Sequence, residues 1–270
     1  MREPAARPVL ALLTDFGTRD PYVGAMKGAA LSVCADATLV DLTHDIAAHD
    51  VVEAARHLAA AAPYFPAGTA FVVVVDPGVG SARRALAVWA GGHWFVGPDN
   101  GVLTPVLTPA AAIVEITSPR YMRVPVSRTF EGRDRFAPAA AWLLRGVPLD
   151  ALGPPVTDPV RLDLPRPQLV HDVLRGVLIA GDRFGNVATS IDRAAFEAFA
   201  CGAPVQLTLA GRPLRLVGTY AEIGGGEVAA LFGSAGILEI AARSAPALGR
   251  DGIEPGAPIE VARQPDNLGR

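Results

Sequence analysis

The run Thr69-Ala70-Phe71-Val72-Val73-Val74-Val75 constrains the fold more than any other part of this sequence. Beyond Thr69 it carries no polar residue, so neither face of an extended chain here is made for water. A strand with one wet face alternates; a continuous β-branched run between Gly68 and Pro77 is that of a central strand covered on both sides. The segments before it supply the covers. Pro8 to Phe16 reads as a buried strand. Pro21 to Ala35 reads as a helix whose small residues Gly24, Ala25, Gly28, Ala29 and Ala30 permit close packing on a sheet. Thr38 to Thr43 is a second strand, and Asp50 to Tyr64 a second helix, capped by Asp50 and stopped at Pro66-Ala67-Gly68. Strand, helix, strand, helix, strand predicts a parallel α/β sheet.

After Asp76 the texture changes. Ala85 to Trp89 and Trp94 to Val96 read as a hairpin around Gly91-Gly92, followed by a strand at Ala112 to Ile116 and a helix at Phe136 to Arg145. Val147 to Gln168 then carries Pro148, Pro154, Pro155, Pro159, Pro165 and Pro167 with little periodicity, which marks a domain boundary. Beyond it strands dominate: Val173 to Ile179, Val205 to Leu209, Leu214 to Tyr220, Val228 to Phe232, Ile237 to Ile240 and Ile259 to Ala262. Arg193 to Ala200 is the one helical stretch. The expected architecture is an α/β N-terminal domain with a mainly parallel sheet over residues 8–165, and a smaller all-β, barrel-like C-terminal domain over 170–264.

Composition removes several function classes. With 50% of its 270 residues hydrophobic the chain has ample core, and 24 basic against 27 acidic residues leave a net charge of −3, unlike the basic footprint of a nucleic-acid partner. Cys34 and Cys201 are too few and too far apart for a disulfide scaffold or a metal site, and read as ordinary thiols. The N-terminal apolar run, Val9 to Leu13, is a strand's length, well short of the roughly 20 apolar residues of a membrane span. No membrane partner and a soluble, cytoplasmic protein are expected.

In an open parallel sheet, ligands bind beyond the carboxyl ends of the strands. Three predicted strands end in polar turns: Thr14-Asp15-Phe16-Gly17, Thr43-His44-Asp45 and Asp76-Pro77-Gly78-Val79-Gly80. All three are expected to face one crevice that handles a small molecule. Each also has a local alternative, since Asp15 could cap a turn and Asp-Pro-Gly is ordinary turn chemistry. Gly78-x-Gly80 lacks the third glycine of a dinucleotide fingerprint and the Gly-Lys-Ser/Thr of a phosphate loop. The 5 histidines are scattered without metal-ligand spacing, and no Gly-x-Ser-x-Gly elbow is present. In the second half, Gly181-Asp182-Arg183-Phe184-Gly185-Asn186 and Gly233-Ser234-Ala235-Gly236 place polar residues in glycine-flanked turns, as ligand contacts or as plain hairpin connections.

Taken together, Leu13-Thr14-Asp15-Phe16-Gly17-Thr18, Tyr22-Val23-Gly24-Ala25-Met26-Lys27-Gly28, Val75-Asp76-Pro77-Gly78-Val79-Gly80, Gly97-Pro98-Asp99-Asn100-Gly101, Thr129-Phe130-x-Gly132-Arg133-Asp134-x-Phe136-Ala137-Pro138, Asp182-x-Phe184-Gly185-Asn186 and Ser234-x-Gly236-x-Leu238-Glu239-Ile240-Ala241 resemble, in that order, the S-adenosyl-L-methionine (SAM) hydroxide adenosyltransferases. These SAM hydrolases release adenosine and methionine and are relatives of the fluorinase and chlorinase enzymes. The resemblance implies an N-terminal α/β domain, a C-terminal β-barrel, and a homotrimer with SAM at subunit interfaces. It implies that Asp15 grips the ribose hydroxyls, Asp182 the methionine ammonium, Asn186 the adenine and Ser234 the methionine carboxylate, while Phe130 and Tyr220 line the nucleoside. Carboxylates suit both a vicinal diol and an ammonium.

The same resemblance frames the reaction centre. The SAM sulfonium makes methionine a leaving group at the ribose C5′, so no metal or other cofactor is required; the protein supplies positioning, desolvation and a proton acceptor for water. The hydroxide-transferring branch holds its water with an Asp-Arg-His set, whereas the halogenases carry Tyr at the Asp position. Asp76 and Arg83 match the Asp and the Arg, and an anionic Asp76 would repel a halide. The His is replaced by Glu131. Two carboxylates about 4 Å apart repel by roughly 4 kcal/mol at an effective dielectric near 20, about a thousandfold in proton affinity. Either Arg83 compensates both charges or the pair retains a proton. The expectation is that Glu131 hydrogen-bonds the nucleophilic water, Arg83 neutralises the pair and Asp76 shares the base role; the alternative turns Glu131 aside to Arg133 or another exposed base and weakens catalysis. The leading function is SAM hydrolysis, with a halide adenosyltransferase and a non-catalytic SAM or adenosine sensor as rivals.

Overall fold

The computed structural model describes residues 7–250 and 252–264, and the chain divides into two compact units between Asp163 and Leu164. In the first unit the elements run β1 (Val9–Thr14), α1 (Tyr22–Leu31), β2 (Thr38–Thr43), α2 (Val51–Ala61), β3 (Ala70–Val74), β4 (Ala85–Ala90), β5 (His93–Pro98), β6 (Ala112–Glu115) and α3 (Ala137–Leu144). The six strands form one sheet in the order β2-β1-β3-β5-β4-β6. β2, β1, β3 and β5 pair in parallel, and β4 alone runs against both its neighbours, β5 and β6. The mainly parallel sheet expected from the sequence is present, with β3 and β5 at its centre.

The apolar runs are buried on both faces, as their composition demands. Along β1, Leu10 and Leu12 join one core with Met26, Ala30, Ala139 and Ala140 of α1 and α3. Ala11 and Leu13 join the other, with Ala54 and Leu58 of α2. β3 divides likewise, Val72 and Val74 to the first core and Phe71, Val73 and the following Val75 to the second. Each fully buried Val, Leu or Phe side chain contributes roughly 1.5–3 kcal/mol. α2 starts where expected, with the Asp50 carboxylate accepting from Glu53 N at 2.8 Å. α3 differs from its sequence reading: the helical path starts earlier, in a single π-turn over Gly132–Phe136. Glycine at 132 lets the turn approach α1, because a Cβ there would lie 3.1 Å from Met26 Sδ.

The second unit comprises β7 (Gln168–Val170), β8 (Val173–Gly181), β9 (Val187–Asp192), α4 (Arg193–Ala200), β10 (Val205–Leu209), β11 (Arg212–Leu216), β12 (Val228–Phe232), β13 (Ile237–Ala242) and β14 (Pro258–Arg263). The pairing β8-β14-β10-β11-β12-β13-β9-β8 closes on itself, so seven strands form a barrel and β7 adds to its β8. Closure removes the unpaired edges an open sheet would expose. β9 is absent from the sequence reading because Val-Ala-Thr-Ser-Ile-Asp has weak apolar character. Its hydroxyls are buried in the barrel, where Ser190 Oγ accepts from Val177 N at 3.0 Å and Thr189 Oγ1 from Ile191 N at 3.1 Å. The predicted strand through Tyr220 is also corrected. β11 stops at Leu216, and Tyr220 opens a short 3-10 turn whose start is capped by Thr219 Oγ1, accepting from Ala221 N at 3.1 Å.

Candidate active site

The register of the central strands brings the first two carboxylates together. Thr14 is the partner of Val74 across the β1–β3 pair, so Asp15 and, one residue beyond Val75, Asp76 emerge at the same end of neighbouring parallel strands. The third strand end behaves differently from expectation. His44 is buried, linking Thr14 Oγ1 at 2.8 Å to Asp41 at 2.9 Å, and neither it nor Asp45 lines the crevice. Asp41 also accepts from Lys27 at 2.7 Å. Burial opposes its ionisation, yet the bonds from Lys27 and His44 hold its carboxyl below the ordinary value. His44 thus ties the end of β2 to β1, and the loop after β2 reaches the crevice through Ala48 and His49.

The crevice is a cavity of about 350 Å³, within the range of small-ligand sites. Its walls include Asp15, Asp76, Glu131, Val79 and the rings of Phe16, Tyr22 and Phe130. The three rings meet edge to face, with centroids 5.9 Å apart for Phe16–Tyr22 and Phe16–Phe130 and 5.3 Å for Tyr22–Phe130. This is a rigid apolar wall of the kind a nucleoside or other flat ligand can lie against. Asp15 accepts from His49 N at 2.9 Å, which orients its carboxylate. His49 adopts φ 70°, a left-handed conformation uncommon for a residue other than glycine.

Arg83 organises the charges. Its Nε donates to Asp76 Oδ1 at 2.8 Å, its Nη2 donates to Asp76 Oδ2 in a very short contact, and the same Nη2 reaches Glu131 Oε2 at 2.7 Å. Asp76, Arg83 and Glu131 side chains are only 5%, 8% and 10% exposed. Burial disfavours the guanidinium charge, but the bonds and charges of Asp76 and Glu131 outweigh it and move Arg83 above its ordinary pKa. The Arg83 fork therefore serves both acids. Glu131 does not turn aside to Arg133, which instead pairs with buried Asp134 at 2.7 Å. The two carboxylates line the cavity, whereas Arg83 stands behind them.

In the barrel unit, Asp182, Phe184, Asn186, Tyr220 and Ser234 share a second, larger and more open cavity of about 930 Å³ with Glu239 and Arg243. Asp182 Oδ1 accepts from Phe184 N and Asn186 N, each at 2.8 Å, and Oδ2 accepts from Asn186 Nδ2 at 3.0 Å. The loop between β8 and β9 is thus folded around its own acid. Glu239, which the motif includes without a role, accepts from Tyr220 Oη at 3.3 Å. Burial, with the nearby Asp182 charge, raises its carboxyl above the ordinary value against the opposing bond from Tyr220. Its signal in the sequence is a lone acid between the apolar residues Leu238 and Ile240 of a strand. Among the described residues no group of His, Cys, Asp and Glu could hold a metal ion, and no helix is long and apolar enough to cross a membrane.

A mostly parallel sheet, covered on both faces and opening a ligand-sized cavity at its carboxyl edge, followed by a small closed barrel, defines a two-domain class of small-molecule protein. Residues 10–153 match the model of the SAM hydroxide adenosyltransferase N-terminal domain and residues 176–260 that of the C-terminal domain. The chain belongs to this family. It is 38% identical over 265 residues to the (R)-S-adenosyl-L-methionine hydrolase of Thermus thermophilus, covering 94% of this chain and 99% of the relative. A fluorinase of an Actinoplanes species is 31% identical, covering 95% and 98%. Among solved structures, an uncharacterised conserved protein from Thermotoga maritima superposes with TM-score 0.86 at 32% identity, over 94% of this chain and all of that one.

Proposed function

We propose that this protein hydrolyses SAM to adenosine and L-methionine. The observation that carries the reading is the pair of carboxylates, Asp76 and Glu131, held by one guanidinium at the wall of the cavity. In the proposed step a water oxygen attacks C5′ in line with the C5′–S bond. A carboxylate takes the water proton, the C5′–O bond forms, and the C5′–S electron pair leaves with sulfur as neutral methionine. Glu131 is the better acceptor: both of its cation contacts use Oε2, whereas both oxygens of Asp76 accept from Arg83. Asp76 shares the role as the second acceptor on the water. The charge is already in place before substrate binds, so the chemical step needs little reorganisation. No metal or cofactor is called for.

Asp15 grips the ribose diol and Phe130 lines the nucleoside in the first unit. In the barrel unit, Asp182 takes the ammonium, Asn186 the adenine, Ser234 the carboxylate and Tyr220 the nucleoside edge. The family resemblance supports a cytoplasmic homotrimer in which one chain's first unit and a neighbour's barrel complete each site. Light scattering on the purified protein reports that state.

The test is incubation with SAM in ¹⁸O-water with excess chloride. Adenosine labelled at the 5′-hydroxyl, together with unlabelled methionine, is the expected result. The fluorinase similarity makes 5′-chloro-5′-deoxyadenosine the outcome that would assign halide transfer instead, and SAM binding without product would assign a sensor. The anionic wall at Asp76 and Glu131 disfavours a halide at the attacking position.

A further inference from the structure

The carboxylate pair has more negative charge than Arg83 balances. One guanidinium faces two buried acids, and a buried cluster with a surplus anion is costly. A second cation stands within reach: Arg135 Nη1 lies 3.7 Å from Glu131 Oε2, four residues along the π-turn. Its side chain is 23% exposed, and its Nε is buried without an acceptor among the described residues. A guanidinium that leaves a buried donor unpaired gains little from hydrogen bonding in that place; attraction to Glu131 is the evident compensation. Arg135 does not line the cavity. Among the described residues, the charged and titratable groups around Glu131 are Asp76 and Arg83 from the segment after β3, Arg135 from its own turn, and Asp15, Tyr22 and His49 on the same cavity wall.

We propose that Arg135 is a positioning residue for the reaction: its guanidinium, 3.7 Å from Glu131 Oε2, supplies the second positive charge beside the Glu131 and Asp76 carboxylates and so supports the proton acceptor at the cavity. The role rests on the hydrolase reading above, and its test separates the two. Arg135→Gln, Arg135→Lys, Glu131→Gln and the Glu131→Gln/Arg135→Gln double variant are compared by kcat against pH for adenosine release and by thermal unfolding against pH. Loss of the charge favours the protonated carboxyl. Arg135→Gln should therefore move the acid limb of kcat upward by about one pH unit, the low end for an opposite charge at 4–6 Å, with KM within about twofold because the residue is outside the cavity. Arg135→Lys should keep the wild-type limb. In the Glu131→Gln background, Arg135→Gln should have no further effect on the limb, and the unfolding temperatures should show coupling between the two positions. An unmoved acid limb in Arg135→Gln, or additive unfolding temperatures, overturns the proposal. If the wild-type protein releases no adenosine while the unfolding coupling persists, the hydrolase reading fails and the charge pairing stands.

Discussion

The two cavities carry their acids in opposite ways. In the sheet unit, Asp76 and Glu131 are 55 positions apart by their numbering (131 − 76), nearly buried, and held by a guanidinium from a third place in the chain. In the barrel unit, Asp182 is exposed and held by amides two and four residues away, and Phe184 at the same loop is 77% exposed. The first arrangement is preorganised by tertiary ion pairs and the second by a local turn. Chemistry that needs fixed charge belongs in the first; recognition that needs access belongs in the second.

The largest test of this contrast is Arg83→Met. Removing the shared partner leaves two nearly buried carboxylates uncompensated, so stability should fall by about 3–5 kcal/mol in denaturant titration, and adenosine release should drop at least about a hundredfold. A stable, active Arg83→Met protein would break the comparison outright. Glu131→Gln removes the proposed acceptor while keeping shape; kcat should fall by about 10²- to 10³-fold with KM little changed, and a KM effect alone would move Glu131 from chemistry to binding. Asp182→Asn, in the exposed loop, should instead act on KM. The loss of one charge-assisted bond, about 1.5–3 kcal/mol, corresponds to roughly a tenfold to hundredfold rise, with kcat and unfolding nearly unaffected.

The smallest expected effect is at Glu239. Its folded carboxyl lies above the ordinary value, so the native state binds that proton more tightly than the unfolded chain. The group's stabilisation is therefore present at pH below the ordinary carboxyl value and is lost as pH rises through the raised one. Glu239→Gln should leave the unfolding temperature unchanged in acid and raise it slightly at neutral pH. A uniform shift at all pH values would assign Glu239 a packing role alone.

The elements legible in sequence were those with a strong period or a cap: β1 and β3 as apolar runs, β2 as a short strand between two helical stretches, α2 by Asp50 and its glycine stop, and the hairpin at Gly91-Gly92 by its turn. β9 was not legible, because its core residues Val187 and Ile191 are separated by Ala, Thr and Ser, and the burial of Thr189 and Ser190 shows only through their bonds to the backbone of Ile191 and Val177. At the site, Asp15 and Asp76 could be read from the rule of strand ends, but His44 could not be removed from that set until its bonds to Thr14 and Asp41 were seen. Arg135 sits four residues after Glu131, a helical spacing visible in principle, yet the helix was expected to begin only at Phe136.

By itself the sequence determined which segments are buried on both faces, where the polar turns interrupt them and which family motifs they carry, since these depend on local composition and order. The tertiary structure decided which charges share a partner. Arg83 could have served one acid or two, and Glu131 could have turned to Arg133. Strand register and the π-turn bring the carboxylates onto one guanidinium with a second cation behind, and distances of that kind are properties of the packed chain alone.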